Sequence, residues 1–350
     1  MKRIFALILA LTLLLCGCGQ PQPTTPSHTG ATLKVHYIDV GQADSILLEC
    51  GGEYMLIDGG NVEDGNDVVE YLLDAGVEEL EAVVASHAHE DHVGGLADIL
   101  KTFPTEAVYA PTRTYSSNCF DQFVYYCNQQ YLTIQIPQPG DTISLGDTAV
   151  TVLGPVTSYS ETNNTSIVLL AQFGEHRFLF TGDMETRAET DMLDFGMNVK
   201  ADVLKVGHHG SDTSTGYRFL REVAPTYAVI SVGEGNSYQH PHEAPLSRLE
   251  DAEVTVYRTD ELGTIVAVSD GKNINSFWEN GNAAPDTPAS KPTDDPGETQ
   301  APQLHIGNVN SKIFHLPTCT SLPSEKNRIE FESHDEAIAS GYRPCSRCLQ

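Results

Sequence analysis

Short apolar runs separated by turn residues set the rhythm of the first half of the chain. TLKVHYIDV, DSILLEC and EYMLIDGG each predict a short strand, with alternation clearest in the first. GNDVVEYLLDAG switches to helical spacing through Val68, Val69, Leu72 and Leu73. LEAVVAS predicts a buried strand and GGLADILKTF a helix, and SSNCFDQFVYYCNQQ predicts a further helix. Strands follow in TISLGDTAVTVLGP, TSIVLLAQFGE and HRFLFTGD, then a helix in METRAETDMLDF and a strand in ADVLKVG. TGYRFLREVA and HEAPLSRLED predict helices around the strand PTYAVISVG, and EVTVYRTD and TIVAVSDG close as strands. Strands lead and helices interleave, so the pattern predicts an α/β fold of sheets covered by helices. No short-period repeat interrupts it.

The two ends depart from this pattern. Residues 1–18, MKRIFALILALTLLLCGC, join a basic start to an apolar run too short to span a bilayer as a stable helix, which predicts a secretory signal. Its end, Leu15-Cys16-Gly17-Cys18, resembles a bacterial lipobox. That resemblance implies cleavage before Cys18, lipid on its sulfur, and an extracytoplasmic protein anchored to a membrane. Residues 19–30 then read as a tether. A second composition change falls at 281–303, where Pro, Ala, Thr and Asp replace large apolar residues and predict a disordered linker. It divides a body, 31–280, from a tail, 304–350.

Net charge is −28, and the body carries nearly all of it, with 12 Lys and Arg against 39 Asp and Glu. No basic stripe is visible. Such a surface repels a polyanion over a Debye length of about 8 Å at physiological salt. Of the eight cysteines, Cys16 and Cys18 lie in the leader and Cys319, Cys345 and Cys348 in the tail. Cys119 and Cys127 sit about two turns apart on one predicted helix, too far to bridge. With Cys50 they read as buried small hydrophobes.

The densest chemistry follows LEAVVA. SHAHEDHVGG places His87, His89, Asp91 and His92 at a strand end, before two glycines. Imidazole and carboxylate suit a divalent cation, and the i, i+2 histidines can converge on one ion while Asp-His points to a second. This motif is similar to that of the metallo-β-lactamase superfamily, which implies an αββα sandwich with one or two metals at the sheet edge. YIDVGQADSILL, MLIDGG, NNTSIVLL, FLFTGDM, DVLKVGHHGS and Asn-x-x-x-His-Pro-His at 236–242 resemble, within it, the hydrolase domain of ComEC-type competence proteins.

On that resemblance the remaining ligands come from other strand ends. Asp183, after RFLFTG, is the carboxylate able to bridge two cations. His208 is the expected last metal-binding histidine, with His209 behind the ligands or at the substrate. Many superfamily members supply another histidine to the first metal, but here SETNNTSIVLL puts Asn163 and Asn164 in that stretch. An amide oxygen is a harder, weaker donor than imidazole, so Mn²⁺ or Mg²⁺ competes with Zn²⁺. The expected catalytic side chains are Asp91, His209 and His240, with His240 as general acid. Asn164, Ser211 and His242 are the expected substrate contacts.

Two cations would activate a water for in-line displacement. The expected function is therefore a metal-dependent phosphodiesterase or nuclease acting on DNA, outside the membrane. Two alternatives are a hydrolase of a small or envelope-derived ester, and a catalytically weak DNA- or surface-binding lipoprotein. No motif points to a protein partner. In the tail, His315-x3-Cys319 and Cys345-x2-Cys348 present four N/S donors in two close pairs, the pattern of one closed structural zinc site. With GYRPC this segment resembles the Ada-type metal-binding domain.

Overall fold

The computed structural model describes residues 31–279, 282–283 and 304–345, apart from Thr318, Thr320, Ser321, Ser324 and Glu332. The leader and tether, nearly all of the linker and Cys348 lie outside the described residues. Among the described residues, no helix is long and apolar enough to cross a membrane.

Two large sheets form the body. The strands of the first are β1 (Leu33–Tyr37), β2 (Ile46–Cys50), β3 (Glu53–Ile57), β4 (Leu80–Val84) and β5 (Thr105–Tyr109), extended after β1 by β13 (Ile265–Ser269), β14 (Ile274–Glu279) and β15 (Asn282–Ala283). Their spatial order is β15-β14-β13-β1-β2-β3-β4-β5. The second sheet is ordered β12-β11-β10-β9-β8-β7-β6. It comprises β6 (Thr142–Leu145), β7 (Thr148–Gly154), β8 (Val168–Phe173), β9 (His176–Phe180), β10 (Val203–Lys205), β11 (Tyr227–Ile230) and β12 (Thr255–Arg258).

Period-two alternation sorts each strand between two cores. Leu33, Val35 and Tyr37 of β1, Met55 and Ile57 of β3, and Phe178 and Phe180 of β9 meet between the sheets. Leu47, Leu56 and Val83 point the other way, against α1 (Gly65–Asp74), α3 (Leu96–Thr102) and α4 (Asn118–Gln129). Val168, Leu179 and Leu204 face α5 (Thr186–Asp194), α6 (Tyr217–Val223) and α7 (Glu243–Asp251). The αββα layering expected from sequence is present. The strand β5 adds to that expectation. It lies at a sheet edge, and exposed Glu106 breaks its apolar run. Cys50, Cys119 and Cys127 are buried free thiols, as predicted.

Pairing direction positions the site. Strands β3, β4 and β5 run parallel, as do β9, β10, β11 and β12. Helical crossovers therefore return the chain so that several carboxyl ends reach one edge of the sandwich. Two glycines let the backbone crowd there. A Cβ on Gly95 would stand 2.1 Å from the Gly59 carbonyl oxygen. Gly182 has φ +49° and would place a Cβ 2.9 Å from Ser86 Oγ.

Helix α5 is fixed by an unusual buried acid. Glu189 accepts hydrogen bonds from the backbone N–H groups of Thr215 and Gly216, tying α5 to the segment before α6. Burial pushes its carboxyl up to about 7, and those two donors only partly oppose the rise. A raised carboxyl contributes stability below its unfolded value, and that contribution is lost as pH climbs through the folded value, here between 4.5 and about 7. The difference is worth roughly 3 kcal/mol. Thermal unfolding of the wild type between pH 5 and 7 should therefore show a steeper fall in Tm than Glu189→Gln; parallel curves would contradict this account.

Candidate metal centre

Three strand ends deliver the site. After β4, residues 85–89 turn into the short helix α2 (Glu90–Val93), for which His89 is the N-cap. His87 and His92 are fully buried, and His89 and Asp91 lie at the rim. After β9, Thr181-Gly182 leads to Asp183, which is 2 % exposed. After β10 comes Gly207-His208-His209-Gly210.

The Asp183 carboxylate stands between two groups of imidazoles. Its Oδ1 lies 3.3 Å from His92 Nε2 and 3.6 Å from His209 Nε2. Its Oδ2 lies 3.9 Å from His87 Nε2 and 3.6 Å from His208 Nε2. Asp91 Oδ2 is 3.4 Å from His209 Nε2 and 3.8 Å from His92 Nε2. On the other side, His87 Nε2 and His89 Nδ1 approach to 3.1 Å.

These spacings fit cations. Ligand atoms held at about 2.0–2.2 Å from one ion stand some 3–4 Å from each other. The donor atoms of Asp91, His92, Asp183 and His209 all lie within 4.8 Å of one another. His92 Nε2, Asp183 Oδ1 and His209 Nε2 are buried without a hydrogen-bond partner, which a bound ion would satisfy. Asp91, His92, Asp183 and His209 could hold one cation, and His87 and His89 lie on the other side of Asp183, where a second could sit.

The two adjacent histidines exchange the roles expected from sequence. His209, not His208, joins Asp91 and His92. Both residues take left-handed backbone angles, φ +51° and +50°, which direct neighbouring side chains to opposite sides of Asp183. The Nδ1–H of buried His209 donates to the Ser231 carbonyl at 3.0 Å. His208 faces the open side, with Nδ1 3.1 Å from Thr213 Oγ1 and Nε2 3.4 Å from Asn163 Nδ2.

Three expected substrate contacts are committed elsewhere. Asn164 is buried, its Oδ1 accepting from the Glu185 N–H at 3.1 Å and its Nδ2 donating to Glu185 Oε2 at 3.4 Å. Its neighbour Asn163 donates from Nδ2 to the same carboxylate, at 3.3 Å from Glu185 Oε1, and its Oδ1 is buried and unpaired. Ser211 Oγ pairs with Thr213 Oγ1, which in turn props His208. The ring of His242 is spent on its own loop, Nδ1 accepting from the Asp212 N–H and Nε2 donating to the Tyr238 carbonyl. His240 does reach the centre, its ring centroid 5.6 Å from that of His208 and 6.5 Å from that of His209.

Behind the ligands stands a layer that the sequence reading missed. Asp58 Oδ2 accepts from His92 Nδ1–H at 2.9 Å, while its Oδ1 accepts from the Ser86 N–H. Asp44 Oδ1 lies 3.4 Å from His209 Nδ1, and its Oδ2 is 2.9 Å from the ammonium of fully buried Lys205. These partners fix the imidazole tautomers so that Nε2 points at the centre. A lysine inside the apolar run DVLKVG was the one available signal.

Charge follows the same geometry. Burial would lower His209, but the Asp183 and Asp44 carboxylates outweigh it and raise the ring to about 10. Burial likewise opposes ionisation of Asp183, yet His92 and His209 hold its carboxyl well below the usual range. Burial and then the neighbouring His92 push His87 well down. Burial, His208 and His209 lower His240 to about 4, so that ring is neutral at pH 7 and stores no extra proton.

A sandwich with this ligand pattern at the carboxyl ends of its strands defines a class, and the chain belongs to the metallo-beta-lactamase superfamily, whose profile matches residues 38–234. Among curated proteins it is similar to ComE operon protein 3 of Bacillus subtilis (strain 168), with 31% identity over 66% of this chain and 32% of that protein. It is also similar to competence protein ComA of Neisseria gonorrhoeae, 31% identical over 72% of this chain and 34% of that protein. The chain thus spans about a third of the length of these relatives. A crystal structure of the metallo-beta-lactamase fold protein YhfI from Bacillus subtilis aligns with TM-score 0.49 and 14% identity, over 68% of this chain and 100% of that one.

The tail matches the profile described as the metal binding domain of Ada, over residues 298–350. Its strands β16 (His305–Asn308), β17 (Ile313–His315), β18 (Arg328–Phe331) and β19 (Arg343–Pro344) form one sheet beside α9 (His334–Ala339). His315 ends β17, and Cys345 follows β19, its parallel neighbour. The donor atoms of His315, Cys319 and Cys345 lie within 4.8 Å of one another, and the two sulfurs are 3.8 Å apart. The expected fourth donor, Cys348, lies outside the described residues. Among the described residues the buried aromatic cluster is small, made of Phe314, Phe331, Ala337 and Tyr342, and a metal bound by these donors would add to its folding energy.

Metal analysis of three variants tests these two clusters. His209→Ala should lose one equivalent of bound metal from the body centre. His208→Ala should retain the equivalent held by Asp91, His92, Asp183 and His209. Cys345→Ser should lose one zinc independently of either. Retention of full stoichiometry by His209→Ala would show that the ligand set has been drawn wrongly.

Proposed function

We propose that this chain is a two-metal phosphodiesterase acting on DNA, held outside a membrane by lipid on Cys18. The observation that carries the reading is the Asp183 carboxylate, whose two oxygens each face a separate pair of imidazoles. The names of the relatives, a competence protein and a com operon protein, support DNA as the substrate. Two bound cations would supply an activated water and neutralise charge on the phosphoryl oxygens.

The chain's own residues then have distinct tasks. Asp183 holds both positions at a fixed separation. Asp58 and Asp44 orient His92 and His209. Asn163, held by Glu185 through Nδ2, lies beside His208, its Nδ2 3.4 Å from the His208 Nε2. His240 stands over His208 and His209, where its N–H could be donated to the leaving oxygen. As a neutral ring it would serve by hydrogen bonding rather than by delivering a stored proton. Asp91, at the rim, would accept a hydrogen bond from the water.

The first cation's set, with two imidazoles, a carboxylate and an adjacent amide, is oxygen-rich for zinc, so Mn²⁺ is the proposed working ion. A second reading, hydrolysis of a small or envelope-derived phosphoester, is favoured by the −27 charge of the body.

Asp183→Asn should lower phosphodiesterase activity by at least about a thousandfold, with the circular dichroism spectrum unchanged. Metal-free protein reloaded with Mn²⁺ should turn over faster than with Zn²⁺. A matrix of DNA, RNA, cyclic dinucleotide and bis-p-nitrophenyl phosphate against each metal separates the two readings. Cleavage of small esters alone would remove DNA as the substrate.

A further inference from the structure

A groove of about 610 Å³ opens directly beside the metal centre. It begins at Ala88, the residue between His87 and His89, and runs past Tyr115 to the segment Pro155–Ser160 and to Thr162. Four prolines stiffen its walls, and hydroxyl groups of serine, threonine and tyrosine line it. None of the lining side chains is charged. This is unexpected in a body where acidic residues are so frequent, and equally unexpected at a site meant to grip a polyanion.

Charges close to the groove are already engaged. Arg187 stacks over the Tyr159 ring at 5.6 Å and pairs with Glu161 at 3.4 Å. The Tyr159 hydroxyl donates to Asp191 Oδ2 at 3.0 Å, which holds its ring in place. Opposite, the Tyr115 ring packs 6.0 Å from Phe120 and 6.3 Å from His89, so an aromatic wall leads from the groove to the first-metal ligands. Two braced aromatic rings with a surround of hydroxyls suit a flat, neutral, hydrogen-bonding group. Arg113, between lining residues Thr112 and Thr114, spends its Nε on the Ile134 carbonyl at 2.9 Å, so no lining side chain offers a charge to a second phosphate along a strand.

We propose that this groove binds one uncharged nucleoside, base and sugar, flanking the scissile phosphate. The proposal rests on the phosphodiesterase reading above and gives it a substrate class: a phosphodiester recognised through one neutral nucleoside and not through a run of phosphates. Stacking on aromatic side chains tolerates any base and contributes about 1–3 kcal/mol. Binding by this route releases few counterions, so it depends weakly on salt.

The test uses the full chain. Saturation-transfer NMR on the metal-free protein should show thymidine, which carries no phosphate, bound, and the signal should vanish in Ser158→Trp, a change at an exposed groove position. With metal, thymidine 5′-p-nitrophenyl phosphate should have a KM at least about tenfold below that of methyl p-nitrophenyl phosphate, at similar kcat. That KM should stay nearly constant as NaCl rises from about 50 to 500 mM. Absence of a thymidine signal from the wild type, equal KM for the two esters, or tighter binding of a glyceryl ester than of the thymidine ester would each overturn the nucleoside assignment. Thymidine binding without cleavage of either ester would support the groove while removing the phosphodiesterase reading beneath it.

Discussion

The Asp183 carboxylate sets the terms for the rest of the body. Both of its oxygens lie within ion-pair distance of imidazole nitrogens, and it is 2 % exposed. A carboxylate so placed is costly to desolvate unless positive charge surrounds it. Asp44 and Asp58 are buried as well, so the centre gathers three carboxylates, opposed by Lys205 and by the His92 and His209 rings whose affinity for protons they raise. A bound divalent cation would take the place of those ring protons. The strand ends, the crossovers and the crowded glycines make geometric sense as means of holding these groups together against their mutual repulsion.

Packing and electrostatics meet at the second layer. Asp58 lies just past the end of β3, Asp44 just before β2, and Lys205 at the end of β10. Each is anchored by a strand whose alternate residues fill the core between the sheets. The precision of the imidazole orientations is thus inherited from sheet packing, because neither His92 nor His209 can turn without breaking a hydrogen bond to a group held there.

Much of this was legible in the chain. Sheets covered by helices followed from the order of apolar runs, and the αββα arrangement from the resemblance to the superfamily; spacing and strand context drew attention to His87, His89, Asp91, His92 and Asp183, which the fold brings together. The division between His208 and His209 was not legible, because identical side chains in adjacent positions are told apart only by backbone handedness. The hydrogen bonds of Asn164 to Glu185, Ser211 to the Thr213 hydroxyl and His242 to the Asp212 N–H were not legible, because polar loop residues bond to other segments as readily as to a ligand. Asp44 and Asp58 were hidden at the borders of apolar runs, where an acid looks like an ordinary turn residue. The groove was invisible because its walls come from segments far apart in sequence.

The peptide unit joining His208 to His209 links the two halves of the centre mechanically. One residue serves the open face of Asp183 and the next its buried face, so a single rigid plane sits between them. Any rotation that improved the approach of one ring would withdraw the other. The two faces of Asp183 therefore form one adjustable object rather than two. A change in the loop that follows, where Gly210 lies against Pro241, would be felt at both faces together.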